Sequence, residues 1–453
     1  MMILLYKSHE VTNMKTVSIN LSKNTLHAKP IRNILGINNL PLVNSARFYS
    51  TDKARFDALN FRYVRFHDCA LENPGMQLVD ISKIFPLFHL DETREENYFL
   101  KQTDLYMKSL VDSDTEVDFR LGETIDHSRS FAFVNVPTDI DKWARICRNI
   151  IGHYKNGEMN GMHLNITRVT VWEEPDTDVL FTGSVEDYAE MFIAVYKLLK
   201  RDFPDIKVGG PTCNCQNINL IDKFLRICTE KGVRPDYIIT TMYTRNLEGE
   251  LSPNDLIPKA KAVMDKYGLS DTKYSFGEWH YGVTDWARTR CVTEYGFNSS
   301  ESAAFSTSLL VDLMDIDYFE IAYFYAWRTA MWGLTDFLSE DLKLLPIYYA
   351  FMFYQKIATE CSERLAISTD SDTKARLLAG KTEDGKTRVL VSCFAEEDCI
   401  IKVRADGSDK AILKSVTKTY NEKNCTDGIE ILPENGTFNI THTGRDAVYF
   451  LEF

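Results

Sequence analysis

Residues 166–176 read ITRVTVWEEPD: a short, largely apolar run, then two adjacent glutamates, then a proline. The run has the length of a strand, and proline disfavours its continuation. Seven other runs of this kind occupy the central region. They are NILGIN (33–38), FRYVRFH (61–67), VDFRLG (117–122), IKVGG (206–210), YIITTM (237–242), KYSFGE (273–278) and YFEIAYFYAW (318–327). Several are apolar nearly throughout, as strands buried on both faces are. Amphipathic stretches separate them. The clearest begins at Ser184, where S-V-E-D resembles a capping box. Its apolar side recurs at Tyr188, Met191, Phe192, Val195, Leu198 and Leu199, close to the helical period, and it ends on Lys197, Lys200 and Arg201. Residues 141–154 and 302–314 read similarly. Strands alternating with helices build a parallel sheet, and eight of them predict a (β/α)8 TIM barrel.

Past about residue 359 the texture changes. Residues 376–380 and 387–393 flank Glu383-Asp384-Gly385, a hairpin signal. Segments 400–404, 411–416 and 447–453 read as further strands, and no long helical pattern intervenes. A C-terminal β-sandwich follows from this. Val17, Ile19 and Leu21 alternate in the N-terminal segment 16–21, which precedes the first barrel strand and is expected to pair with the sandwich. The expected organisation is therefore 1–28 as an N-terminal strand region, 29–358 as the catalytic barrel and 359–453 as the sandwich.

The bulk numbers bound the partners. A net charge of −13 gives no basic footprint for nucleic acid. No stretch reaches the roughly 18 apolar residues of a membrane span. The N-terminal apolar run MMILLY is shorter than the roughly 7–15 residues of a secretory core segment, so a cytoplasmic location is expected. The ten cysteines are scattered and are expected to be reduced and mostly buried. Cys213 and Cys215 form a lone C-x-C, a weak zinc signal, and no cofactor or metal is expected. Among partners, further copies of the chain in a homo-oligomer are compatible with the sequence.

Active sites of such barrels lie at the C-terminal ends of the strands. The strands end in His67-Asp68, Glu123, Trp172-Glu173-Glu174-Pro175, Tyr243, Glu278-Trp279-His280 and Trp327-Arg328. This rim is rich in carboxylates and aromatics, which suits a sugar: carboxylates for acid–base and nucleophilic work, aromatic faces for stacking. Retaining glycoside hydrolysis requires one carboxyl held protonated and another ionised, about 5–5.5 Å apart. A glutamate before proline is ordinarily a solvated loop residue, and Trp327 could equally be interior packing. The motif order decides for function.

The stretch VWEEPD resembles the WNEP motif of the large clan of retaining (β/α)8 glycosidases. The wider pattern is similar to glycoside hydrolase family 39, the family of β-xylosidases and α-L-iduronidase. FRYVRFHD resembles its YVRFHG strand, KVGGP (207–211) its VGGP, and PDYIITTMY (235–243) its DFVTTHTY. FGEWHYG (276–282) resembles its TEWN nucleophile strand and LLPIYYAFMFYQKI (344–357) its KPAYYAF helix. The resemblance implies a retaining exo-glycosidase acting on an oligosaccharide or small glycoside. It implies Glu174 as acid/base and Glu278 as nucleophile, His67 as a sugar contact, Tyr243 beside the nucleophile and Trp327 as a stacking platform.

Four positions depart from the family pattern. Glu173 stands where the family has Asn, Asp68 follows His67 in place of Gly, Thr241 replaces His, and Glu123 replaces an apolar residue. Asp68, Glu123 and Glu173 are therefore expected to contact substrate, as is His280 from its place at the end of its strand, and Glu173 is expected to raise the proton affinity of the pair it forms with Glu174. Arg65, two residues before His67, should face the same side and pair with a rim carboxylate such as the nucleophile. A pentoside, β-xylosyl above all, is the expected substrate. An arabinoside, transglycosylation and a non-catalytic sugar-binding role are the alternatives, and a divalent cation on Asp68, Glu123, Glu173 and Glu174 is a further one.

Overall fold

The computed structural model describes residues 14–21, 26–41, 49–67, 77–111, 114–124, 134–282, 299–327, 333–335, 343–369, 372–419 and 421–453. The chain divides into two compact units. One comprises Met1–Asn33, Arg290–Asp315 and Leu344–Phe453, the other Ile34–Thr289 and Ile316–Lys343. Neither unit is continuous in sequence.

Strand β1 (Lys15–Asn20) belongs to the first unit. The next eight close a parallel barrel in sequence order: β2 (Leu35–Asn38), β3 (Tyr63–Phe66), β4 (Glu116–Leu121), β5 (Ile166–Val171), β6 (Lys207–Asn214), β7 (Tyr237–Thr244), β8 (Lys273–Tyr281) and β9 (Phe319–Phe324). Closure comes from β9 pairing back onto β2, with Leu35 beside Ala322 and Ile37 beside Phe324. All eight predicted strands are present, with shifted ends. Strands β6, β7 and β8 run on to Asn214, Thr244 and Tyr281, and β9 stops at Phe324. The floor of the barrel is filled by Tyr63, Tyr237, Ile239, Ile321 and Tyr323, a packed layer rather than a channel.

Two helices show how local sequence sets the frame. In Val185–Asp202, Ser184 Oγ accepts from the Asp187 N–H at 3.1 Å, and Asp187 Oδ2 accepts from the Ser184 N–H at 2.8 Å. Two otherwise unpaired helix-end donors are thereby satisfied. Helix Ile140–Asn156 starts on Asp139, which accepts from the Lys142 N–H at 2.8 Å, and stops at Gly157 with φ +71°. Glycine adopts that left-handed conformation without a Cβ clash.

The first unit carries two sheets. Its remaining strands are β10 (Cys361–Leu365), β11 (Ser368–Thr369), β12 (Arg376–Thr382), β13 (Thr387–Cys393), β14 (Cys399–Arg404), β15 (Ala411–Val416), β16 (Ile429–Ile431), β17 (Phe438–His442) and β18 (Ala447–Glu452). One sheet has the order β11-β1-β14-β17 and the other β10-β12-β13-β18-β15-β16. Val17, Ile19, Val389, Val391, Ile401, Val403, Ile440 and Leu451 share one buried core between them. The expected hairpin joins β12 to β13, with Gly385 at φ +90° and its N–H on the Thr382 carbonyl at 3.0 Å. Strands β11 and β16 are two and three residues long and β10 is irregularly patterned; these and β17, which alternates over five residues, were not exposed by the sequence alone. Helices Ser300–Met314 and Pro346–Glu360 belong to this unit. Ser392 Oγ donates to the Ala304 carbonyl at 2.8 Å, and the Phe353 ring stacks on Phe450 at 5.3 Å.

The eight described cysteines are unpaired, and all but Cys361 are buried. Among the described residues no helix is long and apolar enough to cross a membrane.

Strand β1 pairs in parallel with β14, Ile19 beside Val403, and antiparallel with β11. Ile19 is fully buried there. Ile19→Ala is expected to destabilise the protein by about 2–5 kcal/mol, read as a lower urea midpoint with an unchanged slope. An unaltered midpoint would mean that β1 lies outside the core.

Candidate active site

The site is built around Arg65. Alternation on β3 turns Tyr63, Arg65 and the following His67 to the barrel interior. Arg65 and His67 are both buried. A guanidinium there requires partners, since a lone buried charge is costly. Arg65 Nη2 is ion-paired with Glu173 Oε2, and Nη1 lies 3.7 Å from Glu278 Oε1. Nη1 also donates to Asn38 Oδ1 and to the Gly277 carbonyl, each at 3.3 Å. Burial alone would weaken the guanidinium's hold on its proton. The charges of Glu173, Glu278 and Asp118 outweigh that, so Arg65 stays charged.

Two local irregularities aim the carboxylates. The first ends β5. Strict alternation would turn Trp172 inward with Arg168 and Thr170. Instead Trp172 adopts φ +65° and packs against Trp143 and Phe181, with ring centroids at 5.9 and 5.4 Å. Its ring lies so close to Gly122 that a Cβ there would stand 2.8 Å from Trp172 Cε3. The left-handed turn brings Glu173 to Arg65. Glu174 follows at φ +36°, its N–H on the Thr212 carbonyl at 3.2 Å. Such conformations are unfavourable for residues with a Cβ and are held by their surroundings.

The second irregularity is in β8. Its register against β7 shifts, so that Thr240 pairs with Phe276 while Thr241 pairs with Glu278. Gly277 is the extra residue, a bulge that re-aims the strand. Its carbonyl accepts from Asn38 Nδ2 at 2.8 Å as well as from Arg65. A Cβ on residue 277 would stand 3.1 Å from Ile239 and 3.4 Å from the Arg65 guanidinium carbon. Glycine therefore suits this approach.

Past the bulge, Glu278 is held at both oxygens. His67 Nε2 is 2.6 Å from Oε1, and the Tyr243 hydroxyl donates to Oε2 at 2.6 Å. Burial would raise its proton affinity. The His67 ring, Arg65 and the Tyr243 hydrogen bond outweigh burial and hold the carboxyl down at about 2. Glu174 behaves oppositely. Burial first, then the charges of Glu278 and Glu173, push it well above the usual carboxylate range. The Thr241 hydroxyl donates to Glu174 Oε1 at 2.7 Å and works the other way. Glu173 is also raised, by burial and then by Glu278, against the pull of Arg65.

The structure thus brings together His67, Glu173, Glu174, Tyr243 and Glu278. It does not bring in Glu123. That carboxylate is buried against Ser82, accepting from its N–H at 3.0 Å and its hydroxyl at 2.5 Å, beside the Asp80–Arg120 ion pair at 2.7 Å. Burial and the Asp80 charge raise its proton affinity well above normal. Trp327 is fully buried, its ring edge-on to Phe56 at 5.1 Å and its backbone N–H on the Asn38 carbonyl at 3.0 Å. His280 is buried, with Nδ1 2.9 Å from the Tyr281 carbonyl and its ring 4.7 Å from Phe324. Asp68 lies outside the described residues. Asn38 was missed, although it is a polar residue closing the first barrel strand. Thr241 stood out only as a departure. Its contact with Glu174 joins β7 to the turn that ends β5 and could not be read from spacing.

Among the described residues, one group offers clustered metal-ligand atoms: His67, Glu173 and Glu278, within 4.8 Å of one another. Arg65 is paired into the same cluster. The cationic position is thus filled by the protein's own guanidinium, and the group does not fit a resident ion.

A carboxyl pushed toward its protonated form thus lies near one held toward its ionised form, inside the barrel mouth. The family model for Glycosyl hydrolases family 39 matches residues 18–276, more than half of the chain. The chain belongs to that family. The match in this family 39 chain covers Glu173 and Glu174 and stops two residues before Glu278. A curated β-xylosidase of Caldicellulosiruptor saccharolyticus is 22% identical over 305 residues, 63% of this chain and 56% of that protein. The family 39 chain thus spans little more than half the length of that relative. Among solved structures, a glucosidase from Croceicoccus marinus superposes with TM-score 0.76 at 18% identity, covering 97% of this chain and 99% of that one. A family 39 β-xylosidase from Caulobacter crescentus gives 0.66 at 14% identity, with the same coverage. Both share the fold.

Arg65→Met should leave Glu173 and Glu278 buried without their counter-ion, a loss of about 3–5 kcal/mol. Thermal unfolding would read it. Adding Glu173→Gln should recover part of the loss, and a carboxyl-carbon titration by NMR should show Glu278 gaining its proton at higher pH than in the parent. Additive losses in the double variant would refute the pairing.

Proposed function

We propose that the protein is a retaining exo-glycoside hydrolase. The observation that carries this reading is the contrast in surroundings of two carboxyls contacted from one face of β7, Glu174 by Thr241 and Glu278 by Tyr243. Glu278, gripped by His67 and Tyr243, is held toward its ionised form, and burial with two acidic neighbours pushes Glu174 toward its protonated form. Double displacement requires that division of labour. Glu174 gives its proton to the leaving oxygen as Glu278 attacks the anomeric carbon and forms a glycosyl ester. Formation of the ester cancels the Glu278 charge that raised Glu174. The now ionised Glu174 takes a proton from water, whose oxygen attacks the anomeric carbon and frees Glu278.

Glu173 is first the counter-ion of Arg65. Its Oε1 has no hydrogen-bond partner among the described residues and remains able to accept from a sugar hydroxyl. The preferred substrate class is a terminal β-xyloside or related pentoside, supported by the name of the curated relative. A panel of aryl β-xyloside, α-L-arabinosides, β-glucoside and α-L-iduronide tests the sugar. Failure of every one would remove the exo-glycosidase reading.

Glu278→Ala should abolish turnover, with azide restoring it and yielding a glycosyl azide of inverted configuration. Glu174→Ala should keep aryl substrates with good leaving groups and lose natural oligosaccharides. Normal hydrolysis by both variants would sink the assignment. The pH profile follows from the same pair. Activity should fall on the alkaline side as Glu174 loses its proton, at a pH well above 4.5, whereas Glu278 is already ionised above about 2.

A further inference from the structure

We propose that Thr241 is the positioning residue of the proton donor: its hydroxyl occupies Glu174 Oε1 and so fixes the acid's proton on Oε2. This rests on Glu174 as the acid. Thr241 is fully buried on β7, and its Oγ1 lies 2.7 Å from Glu174 Oε1. Its hydroxyl makes no other hydrogen bond among the described residues. A threonine hydroxyl has one hydrogen to donate. If the acid's proton sat on Oε1 and pointed at Oγ1, the threonine hydrogen would be left without an acceptor in a buried place, which is unfavourable. The stable arrangement therefore has Thr241 donating to Oε1 and the transferable proton on the other oxygen.

The strand supports this. Thr241 is the register partner of Glu278 across the β8 bulge, and Tyr243, two residues on, donates to Glu278 Oε2. Alternation puts both side chains on one face of β7. One strand thus addresses both carboxylates, the donor through Thr241 and the nucleophile through Tyr243. The branched Cβ restricts the threonine rotamer. The Glu174 backbone is held separately, through its N–H on the Thr212 carbonyl. Backbone and one carboxyl oxygen are then both fixed, leaving Oε2 as the one free position.

The test compares Thr241→Val and Thr241→Ser with Glu174→Ala and the parent, on aryl glycosides of graded leaving-group acidity. Thr241→Val keeps the shape and deletes the donor. It should lose roughly tenfold in kcat on the poorest leaving groups and under about twofold on the best, since only the former need full proton donation. Its alkaline limb should move to higher pH, because a hydrogen bond favouring the ionised acid is gone. Thr241→Ser should restore both. A uniform loss across leaving groups with an unmoved limb, or no loss at all, would overturn the inference while Glu174→Ala still showed its leaving-group dependence. If Glu174→Ala showed none, the acid assignment itself would fail and take this inference with it.

Discussion

The buried guanidinium of Arg65 is the constraint on which the barrel mouth depends. It stands where no water can solvate it, so the fold must supply counter-charge and acceptors from several strands at once. Glu173 comes from the end of β5, Glu278 and the Gly277 carbonyl from β8, and Asn38 from β2. Asp118, lower in the barrel, adds its charge and is itself held by Thr170 and Tyr237 at 2.7 and 3.0 Å. Moving any of these strands by one residue would strand a charge in the interior. The ion-pair cluster therefore fixes register as well as balancing charge.

The same cluster separates the two key carboxyls. Glu278 lies close to Arg65 and His67, and positive and hydrogen-bonding neighbours outweigh its burial. Glu174 is one residue past the Arg65 partner, faces two acidic neighbours, and has only a hydroxyl to favour its charge. Adjacent glutamates in the sequence thus have different work. The first neutralises arginine. The second, turned away by its left-handed backbone, is left to hold a proton.

The departures from the family pattern take on separate meanings in this setting. A glutamate at 173, where the family has asparagine, gives Arg65 a full counter-charge. A threonine at 241, where the family has histidine, places a small hydroxyl donor on Glu174 instead of a ring. A glutamate at 123, expected at the substrate, belongs with Ser82 and the Asp80–Arg120 pair. Three polar substitutions at strand ends thus lead to three different surroundings, and residue type alone did not distinguish them.

What the sequence determined by itself was periodic or local. Eight apolar runs with helices between them set the barrel, Ser184 and Asp187 capped their helix, and Gly385 turned its hairpin. Those features need only neighbours within a few residues, so short-range steric and hydrogen-bonding preferences decide them. The motif order also marked Glu174, Glu278, His67 and Tyr243 as one group. Tertiary structure alone decided that Arg65 pairs first with Glu173, that Trp172 turns outward, that Gly277 bulges, and that Thr241 meets Glu174. Those contacts join strands more than a hundred residues apart through a one-residue slip and a left-handed turn. In a strand, a change of one residue reverses the face of every side chain that follows.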